Sequence, residues 1–343
     1  MSATAILVRR GLLKCEAVWW MSRTLLTNLA TWTMVMGWVV ADPELDHGLR
    51  LAALYVAIVG MNGALFMIND ILDAEGDAVT APYLPLPSGL LTLRQTWIAV
   101  GVTAVAAIGS LALASGSTAR FGVNLGLVLS GIVLSMVYSK VKDHGLLGSI
   151  TVAVPQSLPA VIAWVAAGGG AVGSLLLVLA YCLLASVSNN ILAGLRDIDR
   201  DPEAGNRTLA VRIGAPAAFR VAAILGFTGM VPVVMLAMTV DSGWWAAPYL
   251  VVAAGIHALC YPRLIRCFAK PERGRTQRLA DLRLFKLGEY VRHSAVVAAF
   301  NPIAGLVTGV FLYTCLRGGY TMYNRRLVNG RISRSLTGLA ASR

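Results

Sequence analysis

Charge is what this chain has least of. Only 13% of its 343 residues are Asp, Glu, Lys or Arg, and acids are the scarcer sign, 17 against 29 bases. Soluble domains carry about a quarter charged residues, so an ordinary water-facing surface is excluded. Disorder is excluded too, because disordered chains are poor in apolar residues and this one is 57% hydrophobic. Cysteine is sparse: Cys15, Cys182, Cys260, Cys267 and Cys315 are scattered and odd in number. That fits neither a disulfide framework nor a zinc pattern, so they read as inert thiols. What is there is apolar sequence, with a mean hydropathy of +0.69, as in a helical bundle that uses lipid as its outer solvent. The net charge of +12 invites a nucleic-acid reading, but positive charge must be located before it is read as a phosphate footprint.

Apolar stretches near the roughly 20 residues needed to span a bilayer recur at 18–40, 50–70, 95–115, 120–138, 148–167, 171–195, 217–239, 244–262 and 293–315. These nine predict an all-α integral membrane bundle, a single domain over 1–320 followed by a basic tail, 321–343. The first span is too long for a signal-peptide core and no small-residue cleavage site follows, so it reads as retained. Gly168–Gly170 and Asp241–Gly243 read as tight turns. With the N-terminus in the cytoplasm, the N-terminal segment and the loops after spans 2, 4, 6 and 8 hold most of the bases, and the opposite loops hold only Arg50 and Arg120. That asymmetry is the orientation signal of a membrane protein, and it removes the case for a nucleic-acid partner. The tail (Arg317, Arg325, Arg326, Arg331, Arg334 and Arg343) resists the pattern, since nine spans put it outside. The basic segment from Arg263 to Arg292 reads as a solvated loop near anionic headgroups, or else as a lid over the substrate entrance.

The scarce acids are clustered. Eight of the 17 fall in two places: Asp70, Asp73, Glu75 and Asp77 after span 2, and Asp197, Asp199, Asp201 and Glu203 after span 6. Asn69, Asp73 and Asp77 are four apart and share a helix face, as do Asp197 and Asp201. Asn62 and Asn190 lie one heptad above each face. An acidic helix end is ordinarily just solvated, but two at corresponding positions in an acid-poor membrane protein point to a site. Like charges at this spacing repel, and all-oxygen ligands suit Mg²⁺, which keeps waters and completes its shell with phosphate oxygens. Lys140, Lys142, Arg207 and Arg212 lie close by in sequence and suit a diphosphate. A cation-coupled transporter is the competing class, although its acids more often lie at mid-membrane.

The pattern Asn-Asp-x-x-Asp-x-x-x-Asp followed by PYLPLPSG, and 124 residues on from Asp73 an Asp-x-x-x-Asp followed by AGNRTLAVRIG, resembles the UbiA superfamily of intramembrane prenyltransferases over most of the chain. The resemblance implies transfer of a prenyl group from an allylic diphosphate to an acceptor, often aromatic, with two Mg²⁺ ions, one per acidic face. It implies Asn69, Asp73 and Asp77 as the first metal motif with Asp70 beside it, and Asp197 and Asp201 as the second. It implies Lys142 and Arg23 as diphosphate cations. Leu84 stands where the family has Arg, Ala193 where a polar residue is common, and Thr24 where a Pro follows the base. Tyr138 is the expected aromatic neighbour of the allylic cation, with Trp19, Trp20, Trp32 and Trp164 as weaker candidates that read more readily as interface anchors. Gln156 and Asn190 are the preferred acceptor contacts among the intraspan polar groups, which include Asn28, Asn124, Ser157 and Ser186. His144 is a candidate base. A terpene cyclase on the same fold, and a non-catalytic prenyl-lipid binder, remain as alternatives.

Overall fold

The computed structural model describes residues 3–24, 28–199, 201–202, 206–269, 275–323 and 325–326. They form helices α1 (Ala3–Met21), α2 (Asn28–Ala41), α3 (Gly48–Leu72), α4 (Ala74–Thr80), α5 (Leu93–Ser115), α6 (Thr118–Val141), α7 (Leu146–Ala167), α8 (Val172–Asp197), α9 (Leu209–Ile213), α10 (Ala215–Thr228), α11 (Met230–Thr239), α12 (Ala246–Ala269), α13 (Arg275–Ala298) and α14 (Pro302–Tyr323), and no strand occurs among the described residues. Seven segments are long and apolar enough to cross a membrane: α3, α5, most of α6, α7, α8, the pair α10–α11, and Gly243–Phe268. The chain is an all-helical, multi-pass integral membrane protein.

Local signals set the helix ends. Thr92 and Gln95 form a reciprocal cap at the start of α5, Gln95 N to Thr92 Oγ1 and Thr92 N to Gln95 Oε1 both at 3.2 Å. Ser117 caps α6 by accepting from Arg120 N. Asp42 ends α2, accepting from the Asp46 and His47 backbone N–H groups and from Trp38 Nε1. At Gly37 a Cβ would lie 1.9 Å from the Ala160 carbonyl oxygen, so α2 and α7 approach as closely as they do only because this residue has none.

Two compact units arise. The first comprises residues 1–31, 52–113 and 312–343, the second 32–51 and 114–311. In the first, Ala17, Trp20 and Met21 of α1 pack with Ala64 and Met67 of α3 and Val100 of α5. In the second, the carboxyl half of α8 packs with α10, α12 and α13 through Ile191, Leu195, Phe219, Leu264 and Phe285.

Three expectations about the spans are corrected. The first apolar stretch is not one helix: it breaks after Met21, leaving α2 at only 14 residues. The basic segment from Arg263 to Arg292 is neither loop nor lid: its described residues continue α12 and form α13, which packs extensively on α12. Phe285, Glu289, Arg292 and His293 of α13 are buried. The charges depressed hydropathy there and hid a core helix. The stretch 293–315 is consequently two helices, the end of α13 and the start of α14, with Gly305 facing Ala298 and Gly309 facing Ser294 as in an antiparallel pair. The basic tail follows α14. Arg326 pairs with Glu16 of α1 at 3.2 Å, so the chain returns to the end of the first unit that carries α1 and the first acidic motif. Residues 327–343, with Arg331, Arg334 and Arg343, lie outside the described residues.

The α13 charges meet the rear face of α8. Ser188 Oγ lies 2.9 Å from the Ala222 carbonyl and 3.3 Å from Glu289 Oε1. Arg292 lies 3.7 Å from Glu289 in an i,i+3 pair, donates to the Gly226 carbonyl and stacks over the Tyr181 ring at 5.7 Å. The Tyr181 hydroxyl is bonded to His293 Nδ1.

Candidate active site

The first acidic motif lies at the carboxyl end of α3. Backbone bonds run Asp73 N to Asn69 O (2.9 Å), Asp77 N to Asp73 O (2.9 Å) and Ala81 N to Asp77 O (2.8 Å), so the helical winding continues through Asp73 into α4. Asn69, Asp73 and Asp77 therefore share one face, and the first two are exposed. Burial and the neighbouring Asp73 carboxylate together push the Asp77 carboxyl above its ordinary range. Asp70 points elsewhere: it accepts from Arg23 Nη2 at 2.8 Å. Arg23 adopts φ +49°, which few non-glycine residues do. Its guanidinium lies 4.7 Å from the Phe66 ring centroid and bonds to Tyr323. Arg23 is thus held by this clamp on Asp70.

The second motif lines a cavity of about 200 Å³ in the other unit, walled by Tyr138, Lys142, Gly145, Ser149, Asn190, Ala193, Asp197, Asp201, Asn206 and Thr208 among others. Asp201 N bonds to Asp197 O at 3.0 Å, which carries the helical winding past the end of α8 and keeps both carboxylates on one side. Asp201 Oδ2 accepts from Thr208 Oγ1 at 2.9 Å. Asp197 is gripped by Arg196, Nε to Oδ1 at 3.0 Å and Nη2 to Oδ2 at 2.6 Å. Ser149 Oγ reaches Asn190 Oδ1 at 2.9 Å, and Asn190 Nδ2 reaches the Tyr138 hydroxyl at 3.5 Å. Lys142 caps α6, and its carbonyl presses on Gly148, where a Cβ would lie 2.7 Å away.

Tyr138, Lys142, Asn190, Asp197 and Asp201 thus come together, and Asn69, Asp73 and Asp77 form the other group. Lys140 is exposed and does not line the cavity. The Arg207 side chain is exposed, while its backbone N binds Asp143 Oδ1 at 3.0 Å. Arg212 ties the same two loops through the Asp143 and Arg207 carbonyls. His144 is exposed. Gln156 lies farther along α7, its carbonyl accepting from Thr33 Oγ1 at 3.3 Å. Sequence reasoning missed Ser149, Arg196 and Thr208. Thr208 stands beside Arg207 in the GNRT stretch, seven residues after Asp201, and that is the one signal that could have found it.

Among the described residues no three His, Cys, Asp or Glu side chains gather closely enough to hold an ion by themselves. Each face offers two carboxylates, and the first adds the Asn69 amide oxygen. Mg²⁺ uses one or two protein carboxylates and takes its other oxygens from water and phosphate. The crowding of Asp73 on Asp77 is what such an ion relieves, so the donor sets fit it.

Residues 30–287 match the model of the UbiA prenyltransferase family. The chain belongs to that family. As a UbiA-family member it is a prenyltransferase. It is similar to the digeranylgeranylglyceryl phosphate synthase of Methanopyrus kandleri, 28% identical over 239 residues, 68% of this chain and 82% of that protein. It is also similar to the enzyme of the same name from Methanothermobacter thermautotrophicus, 27% identical over 278 residues, 79% of this chain and 92% of that one. The fold is similar to a solved structure described as giving insights into digeranylgeranylglyceryl phosphate synthase in membranes, with a TM-score of 0.61 at 16% identity, covering 84% of this chain and 98% of that one.

Proposed function

We propose that this chain transfers a prenyl group from an allylic prenyl diphosphate to the hydroxyl of a glyceryl phosphate-type lipid, with its active-site loops in the cytoplasm. The observation that carries the reading is the cavity in which Lys142 and the two carboxylates Asp197 and Asp201 converge beneath Asn190 and Tyr138. An aromatic acceptor is what the family resemblance alone suggests. The named relatives make a glyceryl phosphate product, and a phosphate-bearing acceptor matches the excess of bases at these loops.

Asn69, Asp73 and Asp77 would hold one Mg²⁺, and Asp197 and Asp201 a second. Such ions would supply positive charge against the diphosphate and against the negative charge that grows on it as its C–O bond breaks. The chain's own residues do the rest. Lys142 donates to the departing diphosphate oxygens, which leave with the electron pair of that bond. The Tyr138 ring faces the electron-poor allylic carbon, a contact worth roughly 0.5–2 kcal/mol. The Asn190 amide, braced by Ser149, sets the reacting groups in line. The acceptor oxygen bonds to the allylic carbon in place of the diphosphate oxygen, and its proton passes to the released diphosphate. Apolar α7 and α8 keep out water, which would otherwise quench the cation.

The test uses protein in neutral-lipid vesicles with Mg²⁺, geranyl, farnesyl or geranylgeranyl diphosphate, and either a prenylglyceryl phosphate or a phenol. We expect diphosphate release only with the glyceryl phosphate, together with an ether product. A prenylated phenol would restore the aromatic acceptor, a hydrocarbon formed without acceptor would make the enzyme a cyclase, and no diphosphate release with any donor would end the reading.

A further inference from the structure

Of the buried side-chain polar atoms that have no partner among the described residues, two lie on the helices that wall the cavity and on the cavity's own side of the bundle: Gln156 Oε1 of α7 and Ser186 Oγ of α8. Ser186 is fully buried. An unmet polar atom inside a membrane bundle costs free energy, so a residue keeping one invites a ligand. Their positions are not arbitrary. On α8, Ser186, Asn190, Ala193 and Asp197 recur at the three- and four-residue spacing of one helix face, and the last three line the cavity. On α7, Gln156 is one heptad above Ser149, which also lines it. Helices α7 and α8 are joined by a short turn and meet through the Ser149–Asn190 bond. They therefore run antiparallel, with Gln156 and Ser186 at neighbouring levels deeper than that bond. Eleven residues separate Ser186 from Asp197, about 16 Å along the helix at 1.5 Å per residue. That length accommodates a diphosphate, its reacting carbon and an incoming alcohol in succession.

We infer that Gln156 and Ser186 form the acceptor subsite, binding the oxygen functions of the glyceryl group. The chemistry of the orphaned atoms selects for an alcohol. Gln156 Oε1 can only accept, and Ser186 Oγ both donates and accepts. A hydroxyl donating to the first and accepting from the second satisfies both, which an alkyl chain cannot do. The inference rests on the proposed transfer to a glyceryl phosphate and specifies where that acceptor is recognised. Ser186 and Gln156 are specificity residues, and Asn190 stands between them and the reacting carbon.

Ser186→Ala and the nearly isosteric Gln156→Met separate a ligand site from an idle defect. An idle orphan, once removed, leaves acceptor KM alone and raises the unfolding temperature. A ligand contact, once removed, raises acceptor KM roughly tenfold, the cost of leaving a substrate hydroxyl unpaired, with much less change in donor KM. Ser186→Thr, which keeps the hydroxyl, should return acceptor KM towards wild type. A binding readout stands apart from turnover: geranylgeranylglyceryl phosphate alone, without donor or Mg²⁺, should raise the unfolding temperature of the wild type in detergent and raise it less in both variants. An unmoved acceptor KM in both variants overturns the subsite, as does a thermal shift equal in wild type and variants. If the wild type transfers prenyl only to phenols, the proposed function fails, while the thermal shift with the glyceryl lipid still decides the subsite.

Discussion

The two acidic motifs have the same four-residue spacing but are built differently. In the first unit the ladder Asn69–Asp73–Asp77 is held by backbone winding alone, two of its members are exposed, and its one clamped acid, Asp70, faces away to Arg23. In the second unit each acid is gripped by a side chain, Asp197 by Arg196 and Asp201 by Thr208, within a walled cavity. The middle of α8 is held from its other side by Ser188, Glu289 and Arg292. One face is thus open and electrostatically unrelieved, the other pre-arranged. A pre-arranged site loses little free energy to ordering when its ligand binds, so the second face should bind its ligand with less reordering than the first.

The comparison can be broken in several ways. The largest effect is expected from the acids: Asp73→Ala and Asp197→Ala should each lower turnover roughly 10³-fold without unfolding the protein, measured as diphosphate release beside a circular dichroism melt. Activity retained in both would abolish the two-face arrangement. Next comes the rear brace. Glu289→Ala leaves Arg292 buried and unpaired and should cost about 3–5 kcal/mol of stability, read as a large drop in the unfolding temperature in detergent, with nothing comparable for Arg23→Ala in the half-exposed clamp. The front braces follow. Thr208→Ala and Ser149→Ala each remove one hydrogen bond worth about 1 kcal/mol and should raise the Mg²⁺ concentration for half-maximal activity or the donor KM several-fold. Arg196→Ala should be smallest in stability, within about 1 kcal/mol for so exposed a pair, since it mainly frees Asp197.

The acidic faces and most of the spans were legible because they are local: spacing four apart needs only a helix, and long apolar runs need only lipid. Tyr138, Lys142, Asn190, Asp197 and Asp201 meet in one cavity because each lies at the same end of its helix. What sequence could not show was partner choice across the fold. Nothing near Ser149 says that it will face Asn190, and nothing near Thr208 says that it will reach Asp201. Helix α13 was misread for a different reason. Its Leu282, Phe285, Glu289, Arg292 and Val296 recur at helical spacing, but four of its charges, Arg283, Lys286, Glu289 and Arg292, dilute the hydropathy that a membrane span displays.

That dilution has a consequence for how the protein is made. A segment carrying those four charges has little tendency to leave the translocation channel for lipid unaided, because each charged residue costs about 2.5–3.5 kcal/mol at the centre of a spanning helix. Helix α13 is therefore expected to insert as one arm of a hairpin with α12, on which it packs, once α8 and α10 are there to receive its charges. Until that hairpin is in place the face of α8 around Ser188 has no wall, so the last third of the polypeptide should decide when the enzyme first becomes whole.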